Sequence, residues 1–298
     1  MSQSARNAEL SVKLSIRTPL PEEKKRFYDV YNTGLPNVDE TTYERFSKSW
    51  DTNRENGNLG KLWRVAVLDN EIVGVVINSV IESLKWGMVW ELAVVPEQRD
   101  KGIGTKLIAE SEQLLLKRGT EITDFAIGVK THNSRAVSLY ERLGYHMRFL
   151  IVRLRSSTWQ TNPTQKLTVR DAETKDAAKL SRLVPDAYWD ASDGNSWKRR
   201  ILEGNCHVLM TREEQRIVGA VSVPEAKKES SSTELAFSMK SGFGKAVLDT
   251  AVTLAKTRQV DIWLQDNHQD LMDYAYGRGL KRVDSEYLMR KPIGEKAR

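Results

Sequence analysis

The chain has 298 residues, of which 40% are hydrophobic and 29% charged, and its formal net charge is +6. This length is typical of about two domains, and the composition is that of a globular protein rather than a disordered one. Lysine and arginine are spread along the chain without a basic block or interleaved aromatic residues, which disfavours a nucleic-acid-binding module. Cys206 is the only cysteine, so an intrachain disulfide is excluded, and we expect this residue to pack as a small side chain.

The chain begins with a polar segment of mixed charge, residues 1–10, which lacks the apolar centre of a signal peptide. No stretch approaches the roughly 18 uninterrupted apolar residues that cross a bilayer. We therefore expect a soluble cytoplasmic protein that does not enter a membrane. The sequence leaves a monomer and a homodimer equally open and implies no metal ion.

A weak internal repeat divides the chain into two copies. Each copy opens with a short predicted strand before an acidic helical segment, continues with a hairpin arm, and ends near a glycine that follows a helix. The second copy is progressively shorter than the first. The corresponding segments are residues 16–17 and 169–170, residues 71–76 (EIVGVV) and 216–221 (RIVGAV), and residues 141–145 (ERLGY) and 276–280 (YGRGL).

Between the copies, residues 156–166 are polar, contain Pro163 and show no hydrophobic periodicity, so we predict a linker there. Domains are accordingly predicted at residues 1–155 and 167–298. Strands and helices alternate in each, with several hairpins. This order indicates a mixed α/β fold in which a twisted mixed sheet carries helices on both faces.

In the first copy, a strand, a glycine-rich turn and a helix follow one another. Residues 88–95 (MVWELAVV) are an apolar run interrupted only by Glu91, as in a buried strand. The turn is formed by residues 98–104 (QRDKGIG), and one apolar face predicts a helix over residues 105–118. Glycines allow a ligand to approach the backbone, and the first amides of a helix favour an anion such as a pyrophosphate. Turns with two glycines also occur for packing alone.

A second strand and helix follow. Residues 125–129 are apolar as in a strand, Asn133 is a suitable N-cap, and residues 134–143 predict a helix. Helical spacing places Tyr140 on the inward face, where its hydroxyl needs a partner.

These two segments together resemble one family. Arg99-x-x-Gly102-x-Gly104 after a strand resembles the acetyl-CoA loop of the GNAT acetyltransferases, and residues 133–145 (NSRAVSLYERLGY) resemble their second cofactor motif. The motifs cover residues 88–145, whereas the second copy resembles the family only in outline. The resemblance implies two tandem GNAT-like domains, each with two central parallel strands that splay apart. It also implies an N-acetyltransferase that transfers the acetyl group of acetyl-CoA to a primary amine in a ternary complex.

The resemblance assigns roles to individual residues. Main-chain groups of the strand would hold the pantetheine, and one of its N–H groups would donate to the thioester oxygen. The turn would hold the pyrophosphate, Asn133 would bind the pantetheine, and Tyr140 would protonate the departing thiolate as general acid. The implied cofactor-binding residues are Leu92, Ala93, Val94, Arg99, Asp100, Lys101, Gly102, Ile103, Gly104, Thr105, Asn133, Ala136 and Tyr140.

The general base stays open. Some family members carry a glutamate on the strand before the second motif, where this chain has Gly128. Glu91, a lone carboxylate on an apolar strand, is the catalytic candidate because burial would raise its pKa. A structural salt bridge explains Glu91 equally well, and His132 acting through water is a further alternative.

The second copy keeps the pattern without the same chemistry. Residues 233–239 match the strand and residues 241–245 (SGFGK) match the turn, but the preceding arginine is missing. Ala275, between two tyrosines, stands opposite Tyr140. We therefore predict a degenerate GNAT-like domain, as in tandem members that pair one competent domain with one degenerate domain.

One alternative function is a non-catalytic acyl-CoA-binding sensor or scaffold, although an intact Tyr140 argues against it. Acceptor contacts are expected from residues 28–50 and from the strand after Tyr145. Tyr31 and Trp90 are acceptor candidates, with Arg45, and core positions explain them equally well. No motif names the acceptor, which is either a small molecule or an amine of a protein.

Overall fold

The computed structural model describes residues 14–35, 41–118, 121–156, 165–186, 194–224, 232–255 and 259–294. We call residues 14–156 the first half and residues 165–294 the second half. Most of the predicted linker lies outside the described residues.

Strands and helices alternate in the first half. Its strands are β1 (Ser15–Arg17), β2 (Trp63–Leu68), β3 (Glu71–Ile81), β4 (Trp86–Val94), β5 (Asp124–Lys130) and β6 (His146–Ser156). Its helices are α1 (Lys24–Gly34), α2 (Tyr43–Glu55), α3 (Asn58–Leu62), α4 (Ile103–Leu116) and α5 (Ser134–Arg142).

Strands and helices also alternate in the second half. Its strands are β7 (Thr168–Asp171), β8 (Val184–Pro185), β9 (Cys206–Met210), β10 (Ile217–Ser222), β11 (Thr233–Met239), β12 (Val260–Gln265) and β13 (Lys281–Pro292). Its helices are α6 (Ala177–Leu180), α7 (Gly194–Leu202), α8 (Gly244–Ala255) and α9 (Gln269–Gly277).

One sheet of thirteen strands joins the two halves, in the order β1-β2-β3-β4-β5-β13-β6-β12-β11-β10-β9-β7, with β8 paired to β11. The described strands contain two parallel pairs, β4 with β5 and β11 with β12. Each half thus has two central parallel strands in a mixed sheet, which confirms the predicted fold class.

The halves exchange their last strands. β13 pairs with β5 on one side and with β6 on the other, and β6 then pairs with β12. A strand of the second half, β13, therefore lies next to the first half's parallel pair in the sheet. The predicted boundary in the sequence is not a boundary in the sheet.

Helices cover both faces of the first half's sheet. On one face α1 comes so close that a Cβ on Gly34 would lie 2.6 Å from the Cβ of Ala93. On the other face, a Cβ on Gly74 would lie 3.0 Å from Leu107 of α4, and Gly74 pairs with Val94. Because successive residues of a strand point to opposite faces, the side chains at the end of β4, residues 91–94, alternate between α1 and α4.

The predicted packing role of Cys206 holds, because its side chain is buried in the second half. Burial raises the pKa of the thiol to about 12, so it stays protonated at neutral pH.

A buried carboxylate joins the two halves. Asp261 of β12 has a fully buried side chain, and its oxygens lie 2.6 Å from both Arg153 and Arg155 of β6. Ser232 donates a further hydrogen bond at 2.9 Å. Burial raises the pKa of Asp261, but these hydrogen bonds and charges outweigh it and leave the pKa below its usual value.

Replacing Asp261 by asparagine is expected to lower the free energy of unfolding at pH 7 by about 3 kcal/mol, since both guanidinium groups lose a buried partner. Because the pKa of Asp261 is lower in the folded protein than in the unfolded chain, the wild type is more stable than the variant at pH values above the unfolded pKa. This difference in stability disappears as the pH falls through the folded pKa. Urea denaturation at several pH values measures this. The control is Glu234→Gln, because Glu234 is 58% exposed and 4.0 Å from Arg153. Equal losses in both variants would contradict a special role of Asp261.

Candidate active site

The two parallel strands of the first half separate part-way along. β4 and β5 pair from Trp86 with Asp124 to Val89 with Ile127. Beyond this point β4 continues to Val94, whereas β5 keeps its pairing with β13 only. We call the resulting gap the β4–β5 opening.

The backbone of β4 directs hydrogen-bonding groups into the β4–β5 opening. The N–H of Val95 donates to the C=O of Val73 on β3 at 3.0 Å. Because the backbone groups of successive strand residues point to opposite sides, those of Leu92 and Val94 point away from β3. A bulge in the pairing with β3 adds one extra residue, Trp90, where the strands begin to separate.

The turn after β4 begins helix α4. Gly102 is the N-cap with a φ of 77°, and Asp100 also has a positive φ of 62°. Both values lie in the left-handed region, which lets successive backbone N–H groups converge. The amides of the first helical turn have no acceptor within the helix, and the helix dipole adds partial positive charge.

Helix α5 presents a second N-terminus to the same space. The side-chain oxygen of Asn133 accepts a hydrogen bond from the N–H of Ala136 at 3.2 Å, so Asn133 caps the helix as predicted. Arg135 in the first turn binds Asp100 at 2.8 Å and ties α5 to the glycine turn. A Cβ on Gly104 would lie 3.3 Å from Leu139 of α5, so glycine lets the two helices approach.

A cleft of about 420 Å³ lies between these elements. Most residues implied by the two motifs line it, but the side chain of Ala93 faces α1, and the exposed Lys101 binds the side-chain oxygen of Gln98 at 3.0 Å. Glu91 lies outside the lining. The lining residues are Gly34, Leu92, Val94, Gln98, Arg99, Asp100, Gly102, Ile103, Gly104, Thr105, Asn133, Arg135, Ala136, Leu139, Tyr140 and Arg142.

Arg99 has a structural contact that the motif did not reveal. Its guanidinium donates to the C=O of Val94 at 3.1 Å and to the C=O of Gly34 at 3.2 Å. It thereby joins the end of β4 to the end of α1 while lining the cleft. Gly34 itself lies in neither motif, and only its close approach to β4 reveals it.

Two positively charged residues beyond the predicted set also line the cleft. They are Arg135 and Arg142, on the first and last turns of α5. With Arg99 they give the lining three guanidinium groups against the one carboxylate of Asp100. An anionic ligand suits this balance.

Tyr140 lines the cleft. The residue is 5% exposed, and within the described part of the chain no group hydrogen-bonds to its hydroxyl. Burial raises the pKa of Tyr140, and the negative charge of Glu91 raises it further. The phenol is therefore protonated across the neutral pH range.

Glu91 lies on β4 beyond the point where the strands separate. Its carboxylate accepts a hydrogen bond from the hydroxyl of Tyr31 on α1 at 3.4 Å. Burial raises the pKa of Glu91 to about 7; the Tyr31 hydrogen bond lowers it, Glu286 raises it and Lys130 lowers it. This value suits a group that takes up a proton near neutral pH. His132, the other side-chain candidate, is exposed in the turn before α5.

The corresponding opening in the second half is filled by the chain itself. β11 and β12 pair only from Thr233 with Val260 to Leu235 with Ile262 and then separate. The segment 184–186 lies in this gap, where β8 pairs with the end of β11.

Asp186 links both strands across that gap. Its N–H donates to the C=O of Phe237, and its carboxylate accepts from the N–H of Phe237, both at 3.0 Å. Its C=O accepts from the N–H of Gln265 on β12 at 3.1 Å. The backbone groups that a ligand would need in this gap are therefore already bonded to protein.

The tyrosine position is also altered in the second half. Ala275 is fully buried, and neither neighbouring tyrosine has an environment like that of Tyr140. The hydroxyl of Tyr274 donates to Asp249 at 2.7 Å, and Tyr276 is 42% exposed.

Comparison with known proteins identifies the first half. A sequence model described as the acetyltransferase (GNAT) family matches residues 24–145, which include both motifs, the cleft and the β4–β5 opening. These residues belong to the GNAT family. The resemblance predicted from the two motifs is thereby confirmed.

Sequence relatives match the GNAT region of the chain. The aminoalkylphosphonate N-acetyltransferase of Salmonella typhimurium is 28% identical over 117 residues, which are 37% of this chain and 73% of that protein. Two archaeal matches span 31% and 52% of the proteins concerned, so the chain covers less than two thirds of each.

Solved structures extend the likeness to the whole chain. A GCN5-related N-acetyltransferase from Sphaerobacter thermophilus has a TM-score of 0.69 at 16% identity, covering 95% of this chain and 97% of that chain. A tandem GNAT protein from the clavulanic acid biosynthesis pathway has a TM-score of 0.64 at 12% identity, covering 96% and 100%. At these identities the likeness shows a shared fold, which is the tandem GNAT arrangement. In the described part of the chain, every helix is too short or too polar to span a bilayer.

Proposed function

We propose that this chain is an N-acetyltransferase that transfers the acetyl group of acetyl-CoA to a primary amine by direct attack within a ternary complex. The observation that carries the proposal is the cleft at the β4–β5 opening, which is lined by residues of both motifs including Tyr140, with Glu91 on the strand that borders the opening. Tyr140 presents a protonated phenol to the cleft, and Glu91 has a pKa of about 7 beyond the strand separation.

The cleft fits the cofactor that the family uses. The backbone amides of residues 102–105 and the three guanidinium groups provide positive charge for a pyrophosphate. Leu92 and Val94 direct main-chain groups into the opening, where they would bind the pantetheine, and Asn133 lies at its side. Acetyl-CoA supplies the activated acetyl group.

The two ionisable residues would act in sequence. Glu91 takes the proton of the ammonium, which makes the amine a nucleophile, and Tyr140 donates a proton to the departing sulfur. The charge of Glu91 raises the pKa of Tyr140, so protonation of Glu91 removes part of that rise. Tyr140 thus becomes a stronger acid once Glu91 has taken the proton from the amine.

The second half would not bind acetyl-CoA, because segment 184–186 occupies its opening. In this proposal residues 1–155 carry the cofactor site and residues 167–298 form a degenerate GNAT-like domain.

Calorimetric titration with acetyl-CoA tests cofactor binding, and release of free thiol with a panel of amines tests catalysis. We expect one site per chain and turnover with at least one amine. The panel includes an aminoalkylphosphonate, because the Salmonella relative is named for that substrate, together with amino sugars and peptide N-termini. Absence of binding at millimolar acetyl-CoA would overturn the proposal, and binding without any turnover would favour the sensor.

The pKa of Glu91 predicts the pH profile. If Glu91 is the base, kcat/KM falls about tenfold per pH unit below pH 7, because the carboxyl is then protonated. Glu91→Gln should lower kcat/KM by ~10²-fold or more and remove this acidic limb. The control is Glu97→Gln, an exposed glutamate in the turn after β4. An acidic limb that persists in Glu91→Gln would assign the base to another group.

A further inference from the structure

The three guanidinium groups that line the cleft differ in their partners. Arg99 donates to two backbone carbonyls at 3.1 and 3.2 Å, and Arg135 binds the carboxylate of Asp100 at 2.8 Å. Arg142 is exposed, and within the described part of the chain its side chain has neither an ion pair nor a hydrogen bond. Among the described residues of the lining, Arg142 is therefore the cation whose donors stay available to a ligand.

Helix α5 directs Arg142 to a different part of the cleft from Tyr140. Ala136 and Tyr140 are four residues apart and share one stripe of the helix. Arg135, Leu139 and Arg142 follow one another at spacings of four and three residues and share a second stripe. At 3.6 residues per turn the two stripes lie about 100° apart around the axis. In the proposed function the first stripe faces the pantetheine and its sulfur, so the second faces another part of the cofactor.

The second stripe meets the glycine turn. A Cβ on Gly104, in the first turn of α4, would lie 3.3 Å from Leu139. Arg135, one turn before Leu139, binds Asp100 of the glycine turn. A helix rises by about 1.5 Å per residue, so Arg142 lies about 5 Å along the axis beyond Leu139. The middle of the stripe thus contacts the N-terminus of α4, and Arg142 lies one turn farther along.

Acetyl-CoA carries two separate anionic groups. The pyrophosphate joins the pantetheine to the ribose, and the 3′ oxygen of that ribose carries a phosphate monoester with about two negative charges. A guanidinium binds such a group through two parallel N–H donors. The N-terminus of α4 favours the pyrophosphate. A guanidinium without a protein partner, one helical turn away, suits the second anion.

We propose that Arg142 is a specificity-determining residue for the cofactor, whose guanidinium binds the 3′-phosphate of acetyl-CoA and distinguishes acetyl-CoA from the form that lacks this phosphate. This inference rests on the proposed function, in which the cleft holds acetyl-CoA. The other two arginines have different roles: Arg99 holds the end of β4 to α1, and Arg135 holds α5 to the glycine turn.

Calorimetry with two cofactors tests the inference. Acetyl-CoA and its 3′-dephospho form differ only in the phosphate monoester, so the ratio of their dissociation constants measures the contribution of that group to binding. We expect the wild type to bind acetyl-CoA about fivefold more tightly, the upper range for an exposed ion pair. Arg142→Gln should bring the ratio close to one by weakening the binding of acetyl-CoA alone. Arg142→Lys keeps the charge without the paired donors and should give an intermediate ratio.

Two further variants are controls. Arg148→Gln removes another exposed arginine, which lies outside the cleft lining, and should leave both dissociation constants at the wild-type values. Arg135→Gln frees the glycine turn, which both cofactors use, and should weaken both by the same factor. Added salt should lower the wild-type ratio, because salt screens exposed charges. Circular dichroism checks that α5 is kept, since a cation near the C-terminus of a helix also stabilises it.

An unchanged ratio in Arg142→Gln, or a wild-type ratio near one, would overturn the inference. Equal weakening of both cofactors in Arg142→Gln would also overturn it and would assign this arginine to the pyrophosphate. In each of these cases acetyl-CoA still binds the wild type at one site per chain, so the proposed function stands. Absence of acetyl-CoA binding to the wild type would overturn both.

Discussion

Replacing Tyr140 by phenylalanine is expected to lower kcat by ~10²–10⁴-fold while leaving the affinity for acetyl-CoA nearly unchanged. The reason is that Tyr140 lines the cleft and the variant loses only its hydroxyl, which has no hydrogen-bond partner among the described residues. The ring stays, so the packing against Tyr145, 6.2 Å away between centroids, is kept. The rate of free-thiol release at saturating substrate gives kcat, and calorimetry gives the dissociation constant for acetyl-CoA.

Tyr145→Phe is the matched control for this variant. Tyr145 is also buried, but its hydroxyl donates to Glu112 at 3.0 Å and lies outside the cleft lining. We expect this variant to lose about 1 kcal/mol of unfolding free energy, the usual value of such a hydrogen bond, and to keep turnover close to wild type. Equal turnover in Tyr140→Phe and wild type would remove Tyr140 from the reaction and leave it a packing residue.

Replacing Gly102 by aspartate is expected to weaken acetyl-CoA binding by at least about 100-fold, or ~2.8 kcal/mol. Two effects combine here. The N-cap φ of 77° is unfavourable for a residue with a Cβ, and the new carboxylate would stand where the helix N-terminus favours the pyrophosphate. Calorimetry on the folded variant, checked by circular dichroism, gives the change in dissociation constant.

The second half supplies an equivalent control. Gly242 has a φ of 84° in the turn before α8, and a Cβ there meets no atom within 4 Å, as at Gly102. Gly242→Asp therefore introduces the same strain and charge in the half whose opening is filled by segment 184–186. Binding should stay at one site per chain with wild-type affinity. Weakened binding in Gly242→Asp, or a second site in the wild type, would show that the second half also takes the cofactor.

Local chemistry made the cofactor motifs and their elements readable from the sequence. Residues 233–239 were predicted as a strand and form β11 with the same bounds, because apolar and β-branched residues in a short run favour that conformation. The predicted helix over residues 105–118 begins at Ile103 instead, because Gly102 adopts a positive φ and serves as its N-cap. The ends of such strands and helices depend on residues close by in the chain, so the local sequence pattern predicts them.

Contacts between distant segments were not readable in this way. Asp186 fills the second opening by bonding to Phe237 and Gln265, and no local pattern marks a strand of two residues for that gap. The exchange of β6 and β13 is equally hidden, since an antiparallel strand at either place shows the same alternation.

Glu91 shows most clearly what the sequence determined and what only the tertiary structure decided. The sequence indicated a lone carboxylate on an apolar strand and left a base and a salt bridge equally open. Folding half-buries it beside Tyr31, and Glu286, from the far end of the chain, raises its pKa. A pKa depends on burial and on every nearby charge, and only long-range strand pairing sets which charges are near.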